Sequence, residues 1–354
     1  MIRPVKLLLW FAAQLYGLAV AVRNLFYDLG LLRSHSFDIP VICVGNITAG
    51  GTGKTPHVIW LAEKLSAHTR VAVLSRGYLR KSHGFLTVTP ASTPAEAGDE
   101  PLLMARSLPG VSVFVDCDRV NGIREILRRH PETGVVILDD GFQHRAVKAG
   151  INTVLTDWNR LMTRDRLLPL GMLREQLSAV KRADIIIVTK APADVSLQER
   201  AQVIEELRAA GATAPVYFTT LSYGSPGHLF SETIRKISPA THILIVTGIA
   251  SPEPMAEYLN SIAGSVTQVT FPDHHSFSSD DIGKITSAFD TMVGTDKIIV
   301  TTSKDGVRLK EIANIAVHVL QALYYLPVSV QFIENEEEFL NKVYSYARKD
   351  YQDR

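Results

Sequence analysis

Residues Ile39 to Thr55, IPVICVGNITAGGTGKT, run an apolar segment straight into a glycine-rich turn that ends in a lysine and a threonine. Those residue types in that order do phosphate chemistry. Gly50, Gly51 and Gly53 let backbone N–H groups turn inward around an anion, Lys54 reaches the β- and γ-phosphates of a nucleotide, and the Thr55 hydroxyl suits Mg2+. The cradle is therefore read as Thr48, Ala49, Gly50, Gly51, Thr52, Gly53, Lys54 and Thr55. The strict pattern has glycine where this chain has Thr48. A merely flexible glycine turn is the bland alternative, and the strand pattern before GTGKT and the helix pattern after it speak against that.

A second group lies about eighty residues on. Val135 to Leu138 is an apolar run that ends in Asp139-Asp140-Gly141-Phe142-Gln143-His144. A carboxylate at a strand tip holds Mg2+ directly or through water, and the pairing with GTGKT favours a P-loop ATPase, GTPase or kinase. The G-x-G-x-x-G of a Rossmann dehydrogenase is absent. Arg76 follows the apolar run Val71 to Leu74 and is a candidate phosphate or substrate contact. Arg174, in the loop Asp165 to Glu175, is a candidate for stabilising charge on a transferred phosphoryl group. Thr189 and Lys190, at another strand end, are candidates for contacting a nucleotide base. Asp99 and Glu100 open an apolar helical stretch, where helix capping and catalysis account for them equally well. Asp273-His274-His275 offers a general base or its partner. Adjacent histidines point apart, which argues against a two-ligand metal site.

The elements that must position these groups follow from periodicity. Val41 to Val44, Val71 to Leu74, Val111 to Val115, Val135 to Leu138, Ile151 to Leu155 and Ile185 to Val188 read as strands buried on both faces. They predict an α/β fold of the P-loop NTPase type, a mostly parallel sheet with helices on both faces. The pattern pauses near Ser222 to Gly227. Beyond it, Ile243 to Val246, Val266 to Phe271 and Lys297 to Thr301 predict a second, smaller α/β domain, and Asn335 to Lys349 a closing amphipathic helix. The expected divisions are 1–36, an amphipathic helix; 37–223, the P-loop core; and 224–354, the smaller domain. The 354-residue chain is 46% hydrophobic and 21% charged, with net charge +1, which gives no general attraction to nucleic acid. Its two cysteines support neither a disulfide framework nor a zinc pattern and fit a reducing cytoplasm.

The first thirty residues are the most apolar in the chain. A cleaved signal peptide would leave a nucleotide loop outside the cell. A membrane span is short, because Leu7 to Val22 falls below about 20 residues and contains Gln14. On a helical wheel Arg3, Lys6, Gln14, Asn24 and Asp28 form one stripe, with Arg23 on the apolar side, as in a helix lying in a membrane interface. A buried core helix is the competing reading.

Taken in order, VGNITAGGTGKTP, LSRGYLRK, GDEP, VDCDRVNGI, LDDGFQHR, LLPLGMLRE, VTGIASPEP, FPDHHSF and TTSKDGVRL resemble the bacterial tetraacyldisaccharide 4'-kinase family over most of the chain. The resemblance implies transfer of the ATP γ-phosphate, with Mg2+, to the 4'-hydroxyl of a tetraacyldisaccharide 1-phosphate, giving lipid IVA in lipid A biosynthesis. It also implies a monotopic protein on the cytoplasmic face of the inner membrane, with a lipid disaccharide partner and no nucleic acid. On the matching motifs, Lys54 and Thr55 would bind phosphates and metal, and Asp139, Asp140 and Glu100 would organise the metal. Asp99 with His274 would take the proton from the sugar hydroxyl, Arg174 would stabilise the transferring group, and Arg76 and Arg119 would contact substrate. The chain departs from the family pattern at AVKAG after LDDGFQHR, at Gln176, and in TSKDG. A regulatory P-loop GTPase or metallochaperone, and a cytosolic kinase for a soluble sugar, are the rival readings.

Overall fold

A computed structural model describes residues 3–352, with side chains from Val5 to Arg348. Among the described residues fourteen strands form: β1 Val41–Asn46, β2 Val71–Ser75, β3 Leu86–Val88, β4 Ser112–Val115, β5 Val135–Asp139, β6 Ile151–Asp157, β7 Ile185–Thr189, β8 Val216–Tyr223, β9 Gly227–His228, β10 His242–Thr247, β11 Ser265–Thr270, β12 Lys297–Thr302, β13 Leu323–Leu326 and β14 Val328–Phe332. The α-helices are α1 Arg3–Asp28, α2 Lys54–Ser66, α3 Pro94–Ala97, α4 Asp99–Ser107, α5 Arg119–Arg129, α6 Leu197–Ala209, α7 Glu253–Ile262, α8 Ser279–Thr291, α9 Ser303–Leu309, α10 Val317–Ala322 and α11 Glu336–Gln352.

The larger sheet has the order β14-β8-β7-β6-β1-β5-β2-β4-β3 and is parallel except for its two edge strands. β1 lies at its centre, and its residues alternate between two cores. Val41 and Cys43 join Val120, Ile123 and Ile126 of α5 on one face. Ile42 and Val44 join Val58, Leu61 and Leu65 of α2 and Leu102 and Met104 of α4 on the other. A strand covered on both faces has no polar side to spend, which is why it reads as an unbroken apolar run. Because the strands are parallel, the segments that follow β1, β2, β5 and β6 gather at one edge of the sheet, where open α/β folds bind ligands. The smaller sheet, β11-β10-β12-β13-β9, is parallel apart from β9.

One boundary departs from the expectation. Residues 224–354 were read as one smaller domain, but the chain leaves that domain at Pro327 and returns to the larger one. β14 pairs antiparallel with β8, and Phe339, Val343 and Ala347 of α11 bury in the core beneath α2. The ring centroids of Trp60 and Phe332 are 4.8 Å apart and those of Phe332 and Phe339 5.0 Å apart, so an aromatic cluster anchors the return. Burying such a ring contributes about 1.5–3 kcal/mol. The domains are therefore joined by two adjacent strands of chain, with Gly224 N donating to Pro327 O at 3.0 Å.

Helix α1 packs on the larger domain along a narrow face. Ala13 is buried, and at Gly17 a β-carbon would lie 2.7 Å from Leu167 Cδ1, so the helix backbone approaches that side chain closely here. The opposite face is bare: Leu8 and Leu15 are each 70% exposed and Leu18 62%. That excludes the buried core helix, since only 11% of its most apolar window is buried. Only the C-terminal part of the polar stripe meets the protein, with Asn24 Nδ2 donating to Glu175 Oε2 at 2.8 Å and Arg145 pairing with Asp28 at 2.6 Å, whereas Lys6 and Gln14 are exposed. The Arg3 side chain lies outside the described residues. Arg23 has no need to snorkel through an apolar face, because it donates to the Gln143 backbone carbonyl.

Candidate active site

The cradle forms where β1 meets α2. Gly50 and Gly53 have φ of 98° and 81°, left-handed values at which a β-carbon is strained. Gly53 also occupies the N-cap of α2 and supplies no capping side chain, so the first N–H groups of the helix remain available to an anion. The loop is held from behind. Arg160 Nη2 donates to Ala49 O at 2.8 Å, Lys190 Nζ to Gly51 O at 2.6 Å and Thr189 Oγ1 to Thr52 O at 2.9 Å. These bonds fix the loop's carbonyls away from the cradle, while of its N–H groups Ala49 N donates to Met172 O at 2.6 Å and Thr52 N to Gly50 O at 2.9 Å. Thr189 and Lys190 thus brace the loop; they were expected to contact a nucleotide base. Thr48, at the position of the missing glycine, is buried and bridges to Leu173 of the Arg174 loop. Within the cradle, Asn46 Nδ2 donates to Thr52 Oγ1 at 2.7 Å, and Asn46 Oδ1 lies 3.4 Å from Lys54 Nζ. Thr55 is half-buried in the first turn of α2.

Asp139 ends β5 beside Val44 of β1. Ser75 Oγ donates to its Oδ2 at 2.7 Å, while its Oδ1 is buried without a partner. Burial, with Glu100 and Asp140 nearby, pushes the Asp139 carboxyl up to about 7. Asp140, at φ 49°, has the opposite balance. Burial pushes it up, but Lys54 at 3.7 Å and Arg174 Nη1 at 3.0 Å more than offset this and hold it below the ordinary carboxylate value. Arg119, expected to contact substrate, is only 2% exposed, and its Nη1 donates to Asp116 O and Cys117 O at 3.4 and 3.3 Å. Its charge acts on Asp139 and Asp140 from beneath. Arg76 is exposed at the end of β2.

This arrangement fits a divalent cation. An orphaned buried carboxylate oxygen, a second carboxylate close enough to raise its pKa, and the Thr55 hydroxyl form an all-oxygen donor set of the kind Mg2+ takes. No group of three or more His, Cys, Asp and Glu placed to hold a metal occurs among the described residues. The raised carboxyl also has a stability consequence. Its folded pKa of about 7 lies above the ordinary value of 3.8, so its contribution is full below about pH 4 and is lost as pH rises through about 7. In the nucleotide- and metal-free protein, Asp139→Asn is expected to remove a decline in stability on the order of a few kcal/mol between those limits. Thermal unfolding of both proteins at pH 5 and pH 8 checks this; an identical pH slope in the two refutes it.

The smaller domain completes the site. Gly98, at φ 88°, makes the turn into α4, where a β-carbon would come 2.9 Å from Tyr78 O. Asp99 and Glu100 follow in the first turn and reach across the cleft rather than capping their own helix. Asp99 Oδ2 lies 3.6 Å from His274 Nδ1 and 3.3 Å from Arg308 Nε. Glu100 Oε1 pairs with Lys304 Nζ at 3.0 Å. Lys304 Nζ also lies 3.2 Å from His274 Nε2. An ammonium has only donors, so Nε2 accepts and the ring proton sits on Nδ1, facing Asp99. His275 points the other way, to Asp281 Oδ2 at 2.9 Å. The turn after β10 brings Ala250 within 3.8 Å of a β-carbon built on Gly51.

Lys54, Asp139, Asp140, Glu100, Asp99, His274 and Arg174 are thus linked through ion pairs and close charges, with Arg119 below and Arg76 at the rim. α1 reaches the same group, since Tyr16 Oη donates to Arg174 O at 2.8 Å. Ser75, Asn46, Arg160, Lys304 and Arg308 were not foreseen as site residues. Lys304 and Arg308 lie within TTSKDGVRL, a strand-end sequence of the kind that carried the other site groups.

A family model described as tetraacyldisaccharide-1-P 4'-kinase matches residues 5–347. The chain is 42% identical over 333 residues to the tetraacyldisaccharide 4'-kinase of Parabacteroides distasonis, covering 92% of this chain and 90% of that one. It is 40% identical over 349 residues to that of Bacteroides thetaiotaomicron, covering 95% and 92%. Among solved structures it is similar to LpxK from Aquifex aeolicus in complex with ATP, with TM-score 0.74 and 30% identity over 97% of this chain and 99% of that one.

Proposed function

The chain belongs to the tetraacyldisaccharide-1-P 4'-kinase family, and from that premise we propose how its cleft works. It transfers the γ-phosphate of ATP to the 4'-hydroxyl of a tetraacyldisaccharide 1-phosphate in lipid A biosynthesis. The observation that carries the mechanism is the meeting of Asp99 and His274 across the cleft, 3.6 Å apart, beside the acids that face Lys54. The α2 N-terminus and Lys54 hold the phosphates. Thr55, Asp139 and Glu100 would hold Mg2+, which would supply neutralisation of charge on the phosphate oxygens, and Asp140 is kept ionised beside them by Lys54 and Arg174. Arg174 stabilises the transferring group, Asp99 takes the proton of the acceptor hydroxyl, and His274 orients Asp99 through Nδ1–H. Arg76 contacts substrate at the rim. Because the base and its orienting group come from different domains, closure assembles them around both substrates and limits hydrolysis by water.

Labelled ATP offered with tetraacyldisaccharide 1-phosphate, with soluble sugars, and against GTP tests this reading. Label on the lipid is expected; label on a soluble sugar alone overturns it.

The acceptor's acyl chains keep it in a bilayer, so the enzyme works at the surface of the inner membrane's cytoplasmic leaflet. A helix committed along one side to its own domain, through Ala13, Gly17 and Asn24, lies on the membrane and presents Leu8, Leu15 and Leu18 to it. Removing the chain through Leu32 is expected to weaken association with liposomes while leaving nucleotide binding largely intact. The milder variant Leu8→Glu/Leu15→Glu/Leu18→Glu, which spares the docked face, should lose at least about 10²-fold in partition. Unchanged sedimentation with liposomes in both would refute the anchor.

A further inference from the structure

We propose that Arg308 is a positioning residue for Asp99: it engages one carboxylate oxygen from across the cleft and so leaves the other facing the acceptor hydroxyl. The inference rests on the reading of Asp99 as the base. Arg308 is 6% exposed, and its fork is fixed within its own domain. Nη1 donates to His275 O at 2.7 Å, and Nη2 donates to Asp305 Oδ1 at 2.7 Å and Gly248 O at 3.3 Å. Asp305, fully buried, in turn accepts from Gly248 N at 3.0 Å and Thr302 Oγ1 at 2.7 Å. The guanidinium therefore has a set direction before it meets the larger domain.

Three of its five N–H donors are engaged in this way, and Nε is the one nitrogen of the fork with no bond. Nε is buried with no hydrogen-bond partner, and Asp99 Oδ2 lies 3.3 Å from it, across the cleft. The same oxygen is the one facing His274 Nδ1 at 3.6 Å. Two N–H donors of the smaller domain thus converge on Oδ2, while no hydrogen bond engages Oδ1 among the described residues. A buried charged donor without an acceptor is unfavourable, so a small tightening of the cleft that aligns Nε–H with Oδ2 is favoured. The attachments of Arg308 also join the two turns that face the larger domain. Gly248 begins the turn that brings Ala250 to the phosphate loop, and His275 follows the dyad histidine in sequence. One side chain therefore couples covering of the nucleotide to orientation of the base.

The test uses full-length protein in a mixed-micelle assay with tetraacyldisaccharide 1-phosphate and ATP. Arg308→Met removes the fork, but it leaves the Asp305 carboxylate unpaired. Arg308→Lys is therefore run beside it, keeping the charge near Asp305 without the planar geometry. Both variants are expected to lose about 30- to 100-fold in kcat, with KM for either substrate changed less than about 3-fold. In an Asp99→Ala background, adding Arg308→Met should cost less than about 3-fold more, because its effect passes through the missing carboxylate. Near-normal kcat in both variants, losses that multiply in the double variant, or failure of both to fold overturns the inference. An Asp99→Ala enzyme with ordinary turnover instead overturns the reading of the base itself.

Discussion

Asp99→Ala lowers phosphoryl transfer to the lipid acceptor by about 10²–10⁴-fold, the range in which a positioned general base contributes. Nucleotide affinity should stay within a few-fold of normal. Asp99 stands on α4 with its carboxylate toward His274 and Arg308, and none of its contacts is to the Gly50–Thr55 loop. On the proposed reading the substitution therefore takes the proton acceptor and leaves the phosphate site as it was. The fold should tolerate the change. His274 keeps its contact with Lys304 and its edge-to-face packing with Tyr78, and Arg308 keeps its three bonds within the smaller domain. Labelled ATP and the lipid acceptor measure the rate, and binding of a fluorescent nucleotide measures the affinity. A variant that retained a tenth of normal turnover, or lost nucleotide binding in parallel with turnover, would remove Asp99 from the role of base.

The phosphate loop was legible because its chemistry is local. Strand, glycines, lysine and helix are consecutive, and nothing distant is needed to recognise them. Asp139 was legible for a related reason, since an acid that ends a four-residue apolar run must stand at the edge where parallel strands deliver ligands. What escaped depends on partners far apart in the chain. Ser75 is an unremarkable residue until β2 lies next to β5 and its hydroxyl meets Asp139. Lys304 meets Glu100 across 204 residues of sequence, and no local pattern predicts that pairing. Arg119 was read as a substrate contact only because the family resemblance implies it, and nothing local in VDCDRVNGI announces its burial; two nearby carboxylates and two backbone carbonyls at its Nη1 make burial tolerable here. The return of β14 and α11 was missed because VSVQF announces a strand but not its sheet. That choice is made by Phe332 and Phe339 meeting Trp60.

Lys54→Met should be the other severe lesion, with turnover reduced by about 10³-fold or more, within the range found for cations that stabilise phosphoryl-transfer transition states. The ammonium sits 3.4 Å from Asn46 Oδ1 and 3.7 Å from Asp140. Both are weak engagements, loose enough to exchange for a phosphate oxygen without a large cost. The charge is thus held in reserve by groups it can leave. Methionine keeps the length and apolar stem of the side chain, so packing against the loop is preserved and the loss reports on charge. Asp140 should still remain ionised, because Arg174 Nη1 keeps both of its oxygens at 3.0 Å. The variant should therefore fold with nearly normal stability and bind nucleotide more weakly, while the lipid acceptor binds as before. Steady-state kinetics in both substrates separate these effects: kcat collapses, KM for ATP rises, and KM for the lipid stays within a few-fold. A variant whose only defect was in KM for ATP would mean that Lys54 binds the ground state alone, and the charge on the transferring phosphoryl group would then have to be met by Arg174 and the metal without it.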